Sequence, residues 1–138
     1  MKKITKALVA VFLIAILGMA NVTAFASNEG IMPCLSHMSD GSFSFIATSD
    51  GGYVDVTYYG YDSFVRADLT VKIEKSFLFF WWTEVTTWSA SSTQIDGEFY
   101  NTLPLDGSGT YRASFTLLIT GNDGTVDTVT DVIESSYS

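Results

Sequence analysis

Between Phe64 and Lys75 the chain alternates strictly between apolar and polar residues. The apolar positions are Val65, Ala67, Leu69, Val71 and Ile73, and the polar ones between them are Arg66, Asp68, Thr70, Lys72 and Glu74. Successive side chains of a β-strand lie on opposite faces. This period of two therefore predicts a strand with one face in a core and the other in water.

Short runs rich in β-forming residues continue to the end of the chain, and no helical period occurs after residue 26. Gly, Asp, Asn and Ser clusters separate the runs, which predict strands at 42–48, 53–59, 64–75, 83–89, 94–100, 110–120 and 125–134. Regular spacing of this kind is typical of a sandwich or barrel. About seven strands in about 100 residues favour an all-β fold, a single antiparallel immunoglobulin-like β-sandwich.

The first 26 residues have the layout of a secretory signal peptide. Three lysines precede an apolar run at 7–20, and Ala24 and Ala26 occupy the −3 and −1 positions of a cleavage site after Ala26. Cleavage after Ala24 is a variant, and an uncleaved membrane anchor is the alternative. We predict a cleaved signal helix at 1–26, an irregular lead-in at 27–41, the β-sandwich domain at 42–134 and a tail at 135–138.

Removal of the signal peptide makes the protein more acidic. Three of the seven basic residues leave and all fifteen acidic residues stay, so the formal charge falls from −8 to −11. A domain of this charge is repelled by nucleic acid and by anionic membrane surfaces. We therefore expect no nucleic-acid partner, and contact with a membrane only through the signal segment.

Enzymatic and metal chemistry have few candidate residues. Cys34 and His37 are the only cysteine and the only histidine, so neither an internal disulfide nor the usual zinc ligand set can form. A Ser–His–Asp or Cys–His catalyst would need His37 as its base, and we expect His37 in the irregular lead-in, where fixed geometry is hard to hold. The turn at 121–127 lacks the EF-hand spacing. We predict no enzyme activity, no metal and no cofactor.

Three segments carry a resemblance: KIEK at Lys72–Lys75, WTEVTTWS at Trp82–Ser89 and GTYRASFTLLITGNDGTVDTVT at Gly109–Thr130. They resemble a family of small secreted proteins of Gram-positive bacteria that carry a signal peptide and one sandwich domain. The resemblance implies the fold and a secreted, extracellular location, and it supplies no catalytic residues. LPLDG at 103–107 has Asp106 where a sortase motif needs Thr, so we expect no covalent anchoring to the cell wall.

A run of large apolar residues follows the strand predicted at 64–75. It consists of Phe77, Leu78, Phe79, Phe80, Trp81 and Trp82. In the resembled family the corresponding loop is usually short and polar. If the flanking strands form a hairpin, the run lies at its tip and makes an apolar patch larger than a monomer normally exposes. The alternative is that the run plugs one end of the sandwich.

Other aromatic residues have structural and functional interpretations. Tyr111 begins a strand after a Gly-rich loop, which predicts a tyrosine corner in which its hydroxyl bonds to the loop backbone. Trp88 is predicted to pack between the sheets. The rings that a glycan-binding module would offer for stacking are those of Trp82, Trp88, Tyr58, Tyr59, Tyr61, Tyr100 and Tyr137.

We predict first a secreted, non-enzymatic binding module that uses the Phe77–Trp82 run on a protein or lipid surface. The first alternative is a small carbohydrate-binding module with exposed aromatic rings. The second is a membrane-active secreted factor whose apolar loop inserts into a target bilayer, and the negative charge of the domain counts against its attraction to anionic lipids.

Overall fold

Seven strands form the part of the chain that the computed structural model describes, residues 35–138. They are β1 (Met38–Thr48), β2 (Gly51–Gly60), β3 (Phe64–Phe77), β4 (Trp81–Ser92), β5 (Asp96–Leu103), β6 (Gly109–Gly121) and β7 (Val126–Tyr137). The predicted signal peptide, its cleavage site and Cys34 lie outside the described residues. Within them the predicted all-β fold is confirmed.

Two antiparallel sheets face each other. The first has the order β1-β2-β5 and the second the order β4-β3-β6-β7. Sequential strands pair within each sheet, and the chain crosses between sheets from β2 to β3, from β4 to β5 and from β5 to β6. This is the immunoglobulin-like sandwich arrangement, with the fourth strand paired to the third. β3 lies inside its sheet, where it pairs with β4 on one side and β6 on the other.

The inner faces of both sheets form the core, and the alternation read from the sequence is confirmed along β3 and β6. Ala67, Leu69, Val71 and Ile73 are buried, as are Tyr111, Ala113, Phe115, Leu117 and Ile119. Val65 is an exception, with 47% of its surface exposed. The register of β3 against β6 shifts between Phe64 and Arg66, and a bulge of this kind turns a side chain away from its expected face.

Strand ends differ from the sequence-based boundaries. β1 begins four residues earlier than predicted, because Met38 is buried and pairs with Gly60. β7 continues through most of the predicted tail, because Tyr137 pairs with Gly109 at the start of β6. Pairing with a neighbouring strand extends these elements beyond the residues whose own pattern is clear.

The strand directions place different loops at the two ends of the sandwich. One end carries the β3–β4 turn, the β1–β2 turn and the β5–β6 loop, since Lys75 pairs with Tyr111 and Gly52 pairs with Leu103. The opposite end carries the residues before β1, the β2–β3 loop and the β6–β7 turn. The apolar residues of the β3–β4 turn lie at the first end, and His37 lies at the second.

Candidate interaction surface

A three-residue turn, Leu78 to Phe80, joins β3 to β4. Phe77 and Trp81 are cross-strand partners, and the backbone N–H of Phe80 donates to the carbonyl of Phe77 over 3.3 Å. Leu78 and Phe79 have positive φ angles of 51° and 64°. Those are the angles of the two central residues of a type I′ turn, which normally contains Asn-Gly. Left-handed backbone costs a residue with a Cβ about 1–2 kcal/mol, so backbone preference does not explain this Leu-Phe pair.

The apolar residues of this turn face solvent. The exposed fractions are 60% for Phe77, 64% for Leu78, 96% for Phe79, 79% for Phe80 and 56% for Trp81. At about 200 Å² for a fully exposed side chain of this size, the five present roughly 700 Å². The largest apolar patch on a typical monomer is about 300–600 Å². We name these five residues the apolar tip; they do not plug the end of the sandwich.

Trp82 does not belong to the apolar tip. It pairs with Ser76 and is half-buried on the outer face of the β4-β3-β6-β7 sheet. The Arg112 guanidinium lies 4.3 Å from the centre of its indole ring, while Nε of Arg112 donates to Oε1 of Glu74 over 2.8 Å. The indole face is therefore covered by a cation that is itself paired.

The base of the hairpin is attached to the β5–β6 loop. Nζ of Lys75 donates to the backbone carbonyl of Asp106, and it lies 5.7 Å from the centre of the Tyr111 ring. The buried Tyr111 hydroxyl donates to the carbonyl of Gly107, the contact of a tyrosine corner. Burial, followed by the nearby Tyr137, raises the pKa of Tyr111 above its ordinary value. The phenol therefore stays protonated and holds the loop that braces the hairpin.

An open cleft of about 590 Å³ lies beside this base. Its walls are residues 75–77 of β3, residues 83–85 of β4 and Asp106. Charged groups reach it from three segments, namely Lys75, Glu84 and Asp106. Phe77 of the apolar tip is one of the residues that line the cleft, so the cleft and the tip are adjacent.

The aromatic residues considered for glycan binding do not form one platform. Tyr58 is buried and its hydroxyl donates to the carbonyl of Gln94 over 2.7 Å. Tyr137 stacks on Tyr111, and Trp88 is partly buried against the core. The exposed rings are Tyr59 (49%), Tyr61 (48%) and Tyr100 (58%). Tyr59 and Tyr100 lie on the outer face of the β1-β2-β5 sheet at separate register positions, and Tyr61 follows β2.

His37 lies in the irregular segment before β1, as expected, but it is held in a fixed position at the end opposite the apolar tip, which corrects the expectation that fixed geometry is hard to hold there. It is buried, with Nδ1 2.8 Å from Oγ of Ser63 and Nε2 2.6 Å from Oγ1 of Thr125. Its backbone N–H donates to Oδ2 of Asp127 over 2.6 Å. A Cβ on Gly121 would overlap the ring. The lone histidine therefore anchors the start of β1 to the β2–β3 loop and the β6–β7 turn.

Asp123 completes this histidine cluster. Its Oδ1 lies 3.4 Å from Nε2 of His37 and accepts hydrogen bonds from both the hydroxyl and the backbone N–H of Thr125. Those bonds from Thr125, the hydroxyl first, lower the pKa of Asp123. Sequence reasoning missed the cluster because its members are up to 90 residues apart. The one local sign of the cluster in the sequence was Gly121, which has no side chain and comes directly before Asn122-Asp123-Gly124.

The Ser63–His37 contact has the spacing of a nucleophile and its base, but it lacks the rest of such a site. The backbone N–H groups of Phe64 and Asn122, which could stabilise an oxyanion, donate instead to the carbonyls of Tyr61 and Ser63. The imidazole itself is enclosed. The contacts of this cluster therefore hold the start of β1, the β2–β3 loop and the β6–β7 turn together.

Among residues 35–138, no three His, Cys, Asp or Glu side chains are grouped to hold a metal ion. No helix in that range is long and apolar enough to cross a bilayer.

Comparison with family models, with curated proteins and with solved structures gives no match for this chain. The resemblance to secreted Gram-positive proteins therefore stays a prediction that rests on the segments quoted above.

Proposed function

We propose that the protein is a secreted, non-enzymatic binding module that contacts its target through the apolar tip. The observation that carries this proposal is the exposure of five consecutive large apolar side chains, from 56% to 96%, at one hairpin turn. Exposed patches of this size mark interaction surfaces. The core is complete without them, since its inner faces are filled by residues of all seven strands packed from the two sheets.

The attachment of the hairpin supports a role in binding. Lys75 and Tyr111 both bond to the β5–β6 loop, so the base from which the tip projects is held at two points. A surface that is rigid before contact loses less conformational entropy when it binds. The unfavourable backbone angles of Leu78 and Phe79 belong to the same turn, and strained residues of this kind concentrate at functional sites.

The test compares the wild type with Phe79→Ser/Phe80→Ser on a phenyl-substituted matrix, at a salt concentration where exposed apolar surface controls retention. The matched control is Tyr100→Ser, which removes an exposed ring from the β1-β2-β5 sheet. We expect the double variant to elute early, the control to elute with the wild type, and all three proteins to unfold at the same urea concentration. Equal retention of wild type and double variant contradicts the proposal, and so does a loss of several kcal/mol in unfolding free energy, which would mark the two phenylalanines as core.

Carbohydrate binding is the second candidate, and one observation favours it. Tyr100 is paired with Asp55 on the outer face of the β1-β2-β5 sheet, and Oδ1 of Asp55 is shielded from solvent with no hydrogen-bond partner among the described residues. An exposed ring beside a carboxylate suits a sugar site, because the ring can stack on the sugar and the carboxylate, after a change of rotamer, can accept a hydrogen bond from a hydroxyl. Retention on an insoluble polysaccharide that is lost in Tyr100→Ser and kept in Phe79→Ser/Phe80→Ser would support this second function.

A further inference from the structure

We infer that the apolar tip docks into the interfacial region of an electrically neutral, zwitterionic lipid surface. This inference rests on the proposed function and names the class of target. Three features carry it: five exposed apolar side chains at the hairpin end, the negative net charge of the domain, and the distance between the tip and the nearest charges.

Exposed apolar side chains occupy every position of the hairpin end. Phe77 and Trp81 are cross-strand partners and share one face. Leu78, Phe79 and Phe80 form the turn beyond them and are 64%, 96% and 79% exposed. Phe79, at 96% exposure, forms the extreme end. A protein partner would need a pocket that encloses a convex projection from all sides. The acyl boundary of a bilayer provides an apolar environment around such a projection without a preformed pocket.

The charges exclude an anionic surface. No charged residue occurs between Lys75 and Glu84, so the hairpin end itself is neutral. The four basic residues of the described range all have partners on their own chain: Arg66 with Asp68 at 2.8 Å, Lys72 with Glu74 at 4.0 Å, Arg112 with Glu74 at 2.8 Å, and Lys75 with the carbonyl of Asp106. Two of these cations share Glu74 and Lys75 contacts a neutral carbonyl, so it is the negative net charge of the domain that disfavours anionic headgroups, by repelling them. A zwitterionic surface imposes no such repulsion.

The length of the hairpin end fits the depth of the interface. β3 runs two residues beyond Lys75, about 7 Å at 3.3 Å per residue, before the turn that carries Phe79. Interfacial segments bury their apolar side chains about 5–10 Å into the headgroup and acyl boundary. The tip can reach that depth while Lys75 and Glu84 remain in water. The central peptide groups of a tight turn have no partner in the strand ladder and need water, so the tip docks at the interface and does not cross the bilayer.

The experiment is flotation of the exported protein with sealed vesicles, one set of phosphatidylcholine and one in which about a third of the lipid is phosphatidylglycerol. Residues 7–20 would bind lipid themselves if they were retained, so the readout is the difference between wild type and Phe79→Ser/Phe80→Ser in the same form. Tyr100→Ser is the matched control. We expect the wild type and the control to float with phosphatidylcholine, the double variant to bind at least about tenfold more weakly, and the anionic lipid to reduce binding.

The outcomes separate the inference from the proposed function. Absence of wild-type binding to phosphatidylcholine, equal binding by the double variant, or tighter binding to the anionic vesicles overturns the lipid inference. If the wild type does not bind the vesicles but is still retained on the phenyl matrix through the tip, the proposed function stands and the lipid inference is wrong. If the wild type self-associates through the tip and does not bind vesicles, the occupant is a second copy of the chain. If the wild type neither binds the vesicles nor is retained on the phenyl matrix through the tip, both the lipid inference and the proposed function are wrong.

Discussion

The Leu78-Phe79 turn allows a direct test of whether these two exposed apolar residues lower the stability of the fold through their unfavourable backbone angles. Both residues have positive φ. Replacing them with the pair that a type I′ turn prefers, Leu78→Asn/Phe79→Gly, removes the Cβ at 79 and places at 78 a residue whose short polar side chain tolerates the left-handed region. Glycine relieves about 1–2 kcal/mol at 79 and asparagine a smaller part of that cost at 78, and the greater unfolded-state freedom of glycine opposes the gain by about 0.5–1 kcal/mol. We expect the variant to be more stable by about 1 kcal/mol.

Few native contacts are lost in this change, because Leu78 and Phe79 are 64% and 96% exposed. Equilibrium urea unfolding, followed by far-ultraviolet circular dichroism, measures the effect. With a slope of about 1.5 kcal/mol per molar urea, the midpoint should rise by about 0.7 M. The same variant should be retained less on the phenyl matrix, so the substitution that strengthens the fold weakens the proposed contact.

The matched control is Leu78→Ala/Phe79→Ala. It removes nearly the same apolar surface but keeps a Cβ at both positions, so the strain remains and the unfolding midpoint should stay within a few tenths of a molar of the wild type. The reasoning is refuted if the Asn-Gly variant is no more stable than the Ala-Ala variant. Equal stabilisation of both variants would show that removal of exposed apolar surface, and not relief of backbone strain, is responsible.

Three further predictions concern the two ends of the sandwich. His37→Ala should lower the unfolding free energy by about 2–4 kcal/mol, because it leaves a cavity and removes one hydrogen bond from each of the Ser63 and Thr125 hydroxyls; unchanged urea unfolding would show that the cluster contributes nothing. The pKa of Tyr111 is raised by burial, so its contribution to stability is complete below pH 10.0 and is lost as the pH rises through the folded value; alkaline unfolding of Tyr111→Phe should therefore depend less on pH. The pKa of Asp123 is lowered by the hydrogen bonds from Thr125, so its contribution is present above 3.8 and is lost as the pH falls through the folded value; Asp123→Asn should reduce the slope of stability against pH below 3.8, and an identical slope would contradict this.

The alternation in β3 and β6 was sufficient to predict the core of the second sheet. A strand period of two is a local property, and residues such as Leu69 and Leu117 are buried because they share a face with their neighbours. The turn clusters between runs also predicted the number of strands. Strand ends were less accessible to this reasoning, because at Met38 and Tyr137 the strand continues where a neighbour offers hydrogen bonds and not where the sequence pattern is clear.

The sequence predicted which residues form the candidate surface, but it did not predict whether their side chains are exposed. Six consecutive apolar residues could have been core or surface, and the sequence carries no local signal that distinguishes the two. The turn at Leu78 decided the matter, because it places Phe77 to Trp81 at the end of a hairpin, where their side chains are exposed. The same geometry separated Trp82, whose ring lies under Arg112, from Trp81, which is exposed at the tip.

The sequence by itself determined the fold class, the inward face of the central strands, the acidic character of the domain and the position of its apolar run, because each of these depends on residue type and local periodicity. Tertiary structure alone decided that Val65 leaves the core face at a bulge, that His37 is held by side chains up to 90 residues away, and that the basic residues are all paired. These features arise from contacts between distant segments. Their partners are defined only when the two sheets have formed and the loops meet at the ends of the sandwich.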